Sequence, residues 1–462
     1  MRDLIRVLSK EMTSLVGGPG AGTRPNRTVT SRLVAGTLAN AIGKFWVLGL
    51  QFALIPALTA AWGAGGYGVW LMLTAVPTYI ALSDFGFGSA AASDMTRNVA
   101  SGRPREALRV FQSVWVLTSG VSGLLVAIAA ALWLAQQAGR SPVRISSEVA
   151  DAAMLLVAYS AVVVQSSLIW VGYRSTGRYA QGTFLLDIAL PLEALGIMLV
   201  AWAGGGFVGA ALLMLIVRVS ALALYYAVLR RHEPWLSIGW SAASWSEIRR
   251  LAHPALATVN ITLSSALSLQ GLIIAIGSFG APAIAGAFGA ARTLTRAPLQ
   301  LTGIIIRATA PELTTAHALE DRVLLDKLAR YSLIVTAAIS GSALVFLTLL
   351  GPWALRLLSN GQLVVSAGVF FCLGAAAAFQ SGWTTIGQFL FAQNKQHKFA
   401  YFYLPLAGVT VISPLYVPGD MIVGVSLVYA LAEAVMLVIV YRVWRKEEGA
   451  RAVTPAPAAG GA

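Results

Sequence analysis

The chain has 462 residues, 57% hydrophobic and only 11% charged, and its mean hydropathy of +0.73 excludes a soluble globular protein. The formal charge of +14 is scattered over short segments between apolar runs rather than gathered on a polar domain, which argues against a nucleic-acid binder. A single cysteine, Cys372, excludes a disulfide framework and a thiolate metal site, and the four histidines (His232, His253, His317, His397) show no ligand spacing, so no metal and no cofactor is expected.

Residues 1–33 read as a cytoplasmic tail. Met1–Lys10 forms either a short basic amphipathic helix on the inner membrane surface or a disordered end, and the Gly/Pro-rich stretch after it reads as a flexible linker. About twelve apolar stretches of near-spanning length follow: 34–55, 68–90, 111–134, 152–172, 183–202, 207–229, 255–276, 283–308, 331–350, 366–389, 400–417 and 421–441. The predicted fold is therefore an all-α integral membrane protein. The longest inner connection, 230–254, carries Trp235, Trp240 and Trp245 and reads as an interfacial loop between two six-helix halves, 34–229 and 255–444, with a disordered cytoplasmic tail over 445–462. Of the 33 Lys and Arg, the outer loops hold only Arg140, Arg144 and Arg356, so both termini are expected in the cytoplasm.

Charges inside the spans are the informative residues. The 283–308 stretch carries Arg292 and Arg296, four residues apart and hence on one helix face, with Gly303 and Arg307 continuing it. A mid-membrane cation is costly unless it faces protein or water, so the pair either lines a solvated anion pathway or forms structural ion pairs. In the first span Thr37, Asn40, Lys44 and Gln51 share a face, and in the seventh Asn260, Ser264 and, less well aligned, Ser268 do so at an offset of about 220 residues. Paired halves of this kind hold substrate between them near the midplane. At 1.5 Å per residue Lys44 lies about 15 Å and Arg296 about 18 Å from the inner end of its helix, so a shared cavity brings Lys44, Arg292 and Arg296 to one level, as a receptor for a diphosphate. Snorkelling to the inner interface is the alternative for Lys44. Asn40, Gln51, Asn260 and Ser264 are suited to sugar hydroxyls. Glu193 and Arg218 read first as an ion pair between neighbouring helices; Asp187 and Glu433 have no evident partner and either suits a proton carrier. Pro77, Pro191 and Pro298 are expected to kink their spans.

The stretch SDFGFGSAAASDMTRNVASGRPREALRVFQS (83–113), followed by VGYRSTGRYAQG (171–182) and IIIRATAPELTTAHALEDRVLLDKLARY (304–331), resembles bacterial polysaccharide transporters of the multidrug/oligosaccharidyl-lipid/polysaccharide (MOP) exporter superfamily, in particular O-antigen type flippases. The resemblance covers nearly the whole chain through its layout of spans. It implies a MATE/MOP-like, V-shaped pair of six-helix bundles around a central cationic cavity, with Asp84 and Arg97 at an inner gate or loop. It further implies alternating access on an undecaprenyl-diphosphate-linked oligosaccharide, such as an O-antigen or exopolysaccharide repeat unit, in the bacterial inner membrane. The protein would be a monomer and not an enzyme, beside a polymerase or ligase of the same pathway. A drug/cation antiporter of the same superfamily is the alternative, although it asks for carboxylates where the first span offers lysine. A membrane glycosyltransferase or polymerase fits less well, because Glu148, Asp151 and Asp420 are the only outer acids.

Overall fold

The computed structural model describes residues 29–81, 86–140, 145–303, 313, 322–391, 395 and 397–453. The described residues form helices and connections with no strand among them. In order these are α1 (Val29–Ala81), α2 (Phe87–Ala100), α3 (Pro104–Gln137), α4 (Ser147–Ser175), α5 (Tyr179–Trp202), α6 (Phe207–His232) and α7 (Trp245–Ala266). A π-helical turn (Leu267–Gly271) leads into α8 (Leu272–Phe279), then α9 (Pro282–Thr295), α10 (Arg322–Leu358), α11 (Ala367–Phe391), α12 (His397–Ile412) and α13 (Met421–Val453).

Among the described residues ten helices are long and apolar enough to cross a membrane, against about twelve expected spans. Two differences account for this. The first two spans form one continuous run, α1, which turns at Gly63; its φ of 71° is a conformation that only glycine adopts freely. The 283–308 stretch is not one helix. α9 ends at Thr295, Arg296 occupies a turn, and helix resumes over 297–303. Pro298 is the cause, because it lacks the N–H that would bond Leu294 and its ring crowds that carbonyl. The 14 residues of α9 reach about 21 Å, short of the hydrocarbon thickness. Pro77 and Pro191, by contrast, sit inside helices that continue through them. The expected loop 230–254 is also shorter than its sequence suggests, since α7 begins at Trp245. The remaining linker is tied down: Gln112 on α3 donates to the Ser237 carbonyl at 3.0 Å and accepts from the Ala242 amide at 2.7 Å.

Core packing divides the molecule into two halves. Toward the end marked by the Gly63 turn, one apolar core takes Ile55, Leu58 and Trp70 from α1, Leu272 and Ile276 from α8, Phe288 from α9, and Phe370 and Tyr429 from α11 and α13. Toward the other end the cores are separate. Phe87, Phe111, Tyr173 and Leu229 pack together with Leu251 in one half, and Trp383, Leu390, Phe399, Tyr403 and Met436 in the other. At the shared end α1 and α9 cross closely: a Cβ placed on Gly68 would lie 1.7 Å from the Pro282 carbonyl oxygen, and one on Gly286 would lie 3.3 Å from the Gly68 Cα. Only glycine permits that approach.

Candidate functional site

Between the halves lies a cavity of about 490 Å³. Its walls come from α1 (Gln51, Leu54, Leu58, Tyr67, Trp70, Leu71, Thr74), Ile197 of α5, the π-helical turn and α8 (Leu269, Gln270, Ile273), and the α9 region (Gly289, Arg292, Thr293, Arg296, Gln300). The lining combines aromatic and aliphatic side chains with two guanidinium groups, three glutamines and two threonines. Among the described residues no carboxylate lines it.

The two arginines are held in different ways. Arg292 is 3% exposed and extends across to the π-helical turn, where Nη1 donates to the Leu269 carbonyl at 2.5 Å and Nη2 to the Ser268 carbonyl at 2.6 Å. A π turn displaces carbonyls from the regular helical ladder, and the guanidinium fork takes up two that the turn leaves available. Its charge also sits 5.2 Å from the Tyr429 ring centroid and 5.9 Å from that of Phe288, within cation–π range. Arg296 occupies the break after α9, is only partly buried, and makes one contact of modest strength, Nη1 to Gln380 Oε1 at 3.2 Å. Neither arginine is paired with a carboxylate among the described residues.

Behind this wall a second polar group is buried. Glu433 on α13 is 1% exposed; Trp383 Nε1 donates to its Oε2 at 2.7 Å and the Tyr403 hydroxyl to its Oε1 at 3.3 Å. Gln380 Nε2 donates in turn to the Tyr403 oxygen at 3.4 Å. An unbroken chain of hydrogen bonds therefore runs from Arg296 at the cavity to Glu433. Across the cavity, Gln300 Nε2 donates to Gln51 Oε1 at 3.3 Å and joins the two halves.

The other site residues read from sequence fall as follows. Asn40 and Lys44 lie on α1 with side chains outside the described residues, and Asp84, Arg307 and the 1–28 segment lie outside them altogether. Asn260 and Ser264 do not line the cavity; the Ser264 hydroxyl donates to the Asn260 carbonyl at 2.7 Å in its own helix. Glu193 and Arg218 meet at 2.7 Å, and the Tyr159 hydroxyl bridges them, donating to Glu193 at 2.9 Å and accepting from Arg218 at 2.9 Å. Asp187 is exposed on α5 within electrostatic reach of Tyr225, and Arg97 is exposed on α2. The outer acids have structural partners: Asp151 accepts from Trp133 at 2.6 Å, Asp420 caps the first amides of α13, and Glu148 accepts from the Phe207 amide at 3.0 Å. Gln380, Tyr403, Gln270 and Gln300 were not singled out by sequence. Polar residues inside an otherwise apolar stretch are the signal that marks Gln380, whereas nothing local marks the π turn.

By sequence the chain matches no protein-family model and no curated protein. By structure it is similar to an inward-facing multidrug resistance MATE family transporter of the MOP superfamily, with TM-score 0.69 and 14% identity over 90% of this chain and 96% of that one. It is also similar to an outward-facing transporter of that description, with TM-score 0.63 and 15% identity over 91% and 97% of the two chains. A third is a MOP superfamily transporter from Pyrococcus furiosus Vc1, described as having a binding pocket of reverse polarity that suggests a different function, with TM-score 0.60 and 13% identity over 91% and 96%. The fold is thus that of MATE transporters, an all-helical multi-pass membrane architecture.

Proposed function

We propose that this chain is a flippase that carries an undecaprenyl-diphosphate-linked oligosaccharide, an O-antigen or exopolysaccharide repeat unit, across the bacterial inner membrane by alternating access. The observation that carries the reading is the composition of the cavity wall: Arg292 and Arg296 among glutamines and threonines, with no carboxylate among the described lining residues. Arginine in a low-dielectric wall suits a diphosphate, and amides suit sugar hydroxyls. Arg296 is the principal anion contact, because its single bond to a neutral amide is easily exchanged. Lys44, for which residue counting along the sequence gives a similar depth, is the second. Arg292 supports the site by holding the π turn. The aliphatic wall and the gap between the halves leave the polyprenyl chain in lipid. A membrane potential negative inside favours outward movement of the anionic headgroup by about 2.3 kcal/mol per charge per 100 mV. The chain works as a monomer with both termini in the cytoplasm, alongside a polymerase or ligase that consumes the flipped unit.

A drug/cation antiporter is the second reading, and the multidrug description of the structural neighbours favours it. A cation substrate requires acidic groups in the cavity wall, and the buried Glu433 lies behind that wall, not in it. The two readings separate in a deletion strain complemented with the Arg296→Ala or Lys44→Ala variant. The flippase reading expects lipid-linked repeat units to accumulate on the cytoplasmic leaflet with drug tolerance unchanged. Altered tolerance to cationic drugs with intact surface glycan overturns it in favour of the antiporter.

A further inference from the structure

We infer that Glu433 is a proton-binding site wired to Arg296 through Tyr403 and Gln380, so that a proton on Glu433 releases Arg296 to hold an anion. The inference rests on the anion-cavity reading above and adds to it what governs the strength of the site. Two buried carboxylates in this molecule make the case by contrast. Glu193 is paired directly with the guanidinium of Arg218 at 2.7 Å. Glu433 is as deeply buried but is held by two neutral donors, Trp383 and Tyr403. Its charged and titratable surroundings among the described residues are Arg292 of α9, Arg296 in the turn after it, Tyr403 from α12 and Tyr429 on α13 itself, while α11 supplies only the neutral Trp383 and Gln380.

The chain of bonds runs in one direction when Glu433 is a carboxylate. Tyr403 donates to Glu433, Gln380 Nε2 donates to Tyr403, and Gln380 Oε1 is left to accept from Arg296. A proton taken from water onto Glu433 Oε1 makes that atom the donor. The Tyr403 oxygen then accepts from Glu433, its hydroxyl turns to Gln380, and the Gln380 amide must rotate to present its oxygen to Tyr403. The rotated amide points N–H toward the guanidinium, where two donors cannot bond. Arg296 loses its acceptor and is free for an anion. The Coulomb effect has the same sign, since neutralising Glu433 leaves the positive charges of Arg292 and Arg296 uncompensated. Linkage requires the reverse as well: an anion on Arg296 promotes proton uptake at Glu433 by the same factor.

The test uses the full chain in lipid nanodiscs with inorganic sulfate as probe, because its charge is constant over the range pH about 5 to 8. Wild type is expected to bind sulfate about tenfold more tightly at the acid end, a one-unit linkage. Glu433→Gln is expected to bind with no pH dependence, and Glu433→Asp to restore part of it. Tyr403→Phe breaks the relay and is expected to reduce the dependence. Infrared difference spectra taken on acidification should show a protonated-carboxyl band in wild type and in Tyr403→Phe, but not in Glu433→Gln. Equal pH dependence in wild type and Glu433→Gln, or no band lost in that variant, overturns the inference. If the band titrates and is lost in Glu433→Gln while sulfate binds at no pH, the proton site stands and the anion-cavity reading falls.

Discussion

Arg292 and Arg296 are separated by one helical turn and carry the same charge, yet their environments give them different work. Arg292 spends both terminal nitrogens on the Ser268 and Leu269 carbonyls, deep in the contact between α9 and the π turn. Removing its side chain leaves those acceptors without their partner, at about 1–3 kcal/mol for each buried group. Arg292→Ala is therefore expected to lower the thermal midpoint of the detergent-solubilised protein clearly, with Arg292→Lys recovering little, because a single ammonium does not reproduce the planar fork. Arg296→Ala gives up one bond to a neutral amide and is expected to leave the midpoint within the change of an ordinary surface substitution, about 0.5 kcal/mol, while abolishing the glycan export that the proposed function assigns to the chain. Equal destabilisation by both alanine variants would refute this division.

At the scale of elements, the first turns of α7 belong to the opposite half from the rest of their helix. Arg250 on α7 makes a bidentate ion pair with Asp94 on α2, at 2.5 and 3.1 Å, and a second bond to Glu247 at 2.6 Å. The Arg250 guanidinium hydrogen-bonded to Asp94 holds that carboxyl below the usual carboxylate range. A carboxyl whose value is lowered on folding adds stability at all pH above its unfolded value, near 4, and loses it as pH falls through the lower folded value. The bridge should thus be intact at neutral pH and fail only in acid. Because Arg250 is half exposed, solvent screening limits the contribution to under about 1 kcal/mol. Stability measured against pH should show an acid-side slope in wild type that is reduced in Asp94→Asn, with the two curves converging once the pH lies below the lowered Asp94 value. A difference that persists undiminished there would rule out the ion pair as its source.

For the whole molecule, the decisive feature is that the halves share a core at one end and keep separate cores at the other. The seal at the Gly63 end depends on bare backbone, where α1 and α9 meet at Gly68 and Gly286. Gly68→Leu places carbon where the Pro282 carbonyl stands and should force the halves apart there. Spin labels on α1 and α9 flanking this contact, read by pulsed electron resonance in nanodiscs, should report a longer distance in the variant than in wild type. An unchanged distance distribution would show that the seal does not rely on this crossing.

Much of this architecture follows from composition and periodicity alone. Apolar runs of spanning length have one stable solution in a bilayer, the helix, so the membrane class and the approximate positions of the helices were legible residue by residue. The pairing of Glu193 with Arg218 was legible as well, because two opposite charges in adjoining spans have few other ways to be buried. What local pattern left open was set by contacts between residues far apart in the chain. Pro298 announces the break, but that Arg296 there faces Gln380 depends on α11. Nothing near residue 267 announces a π turn, whose displaced carbonyls matter only because Arg292 approaches from α9. Glu433 looked partnerless because its donors, Trp383 and Tyr403, are 50 and 30 residues away. Hydrophobic length is a property of each segment, whereas the burial and partnering of a polar group are properties of the surfaces that surround it, and those exist only after the helices have packed.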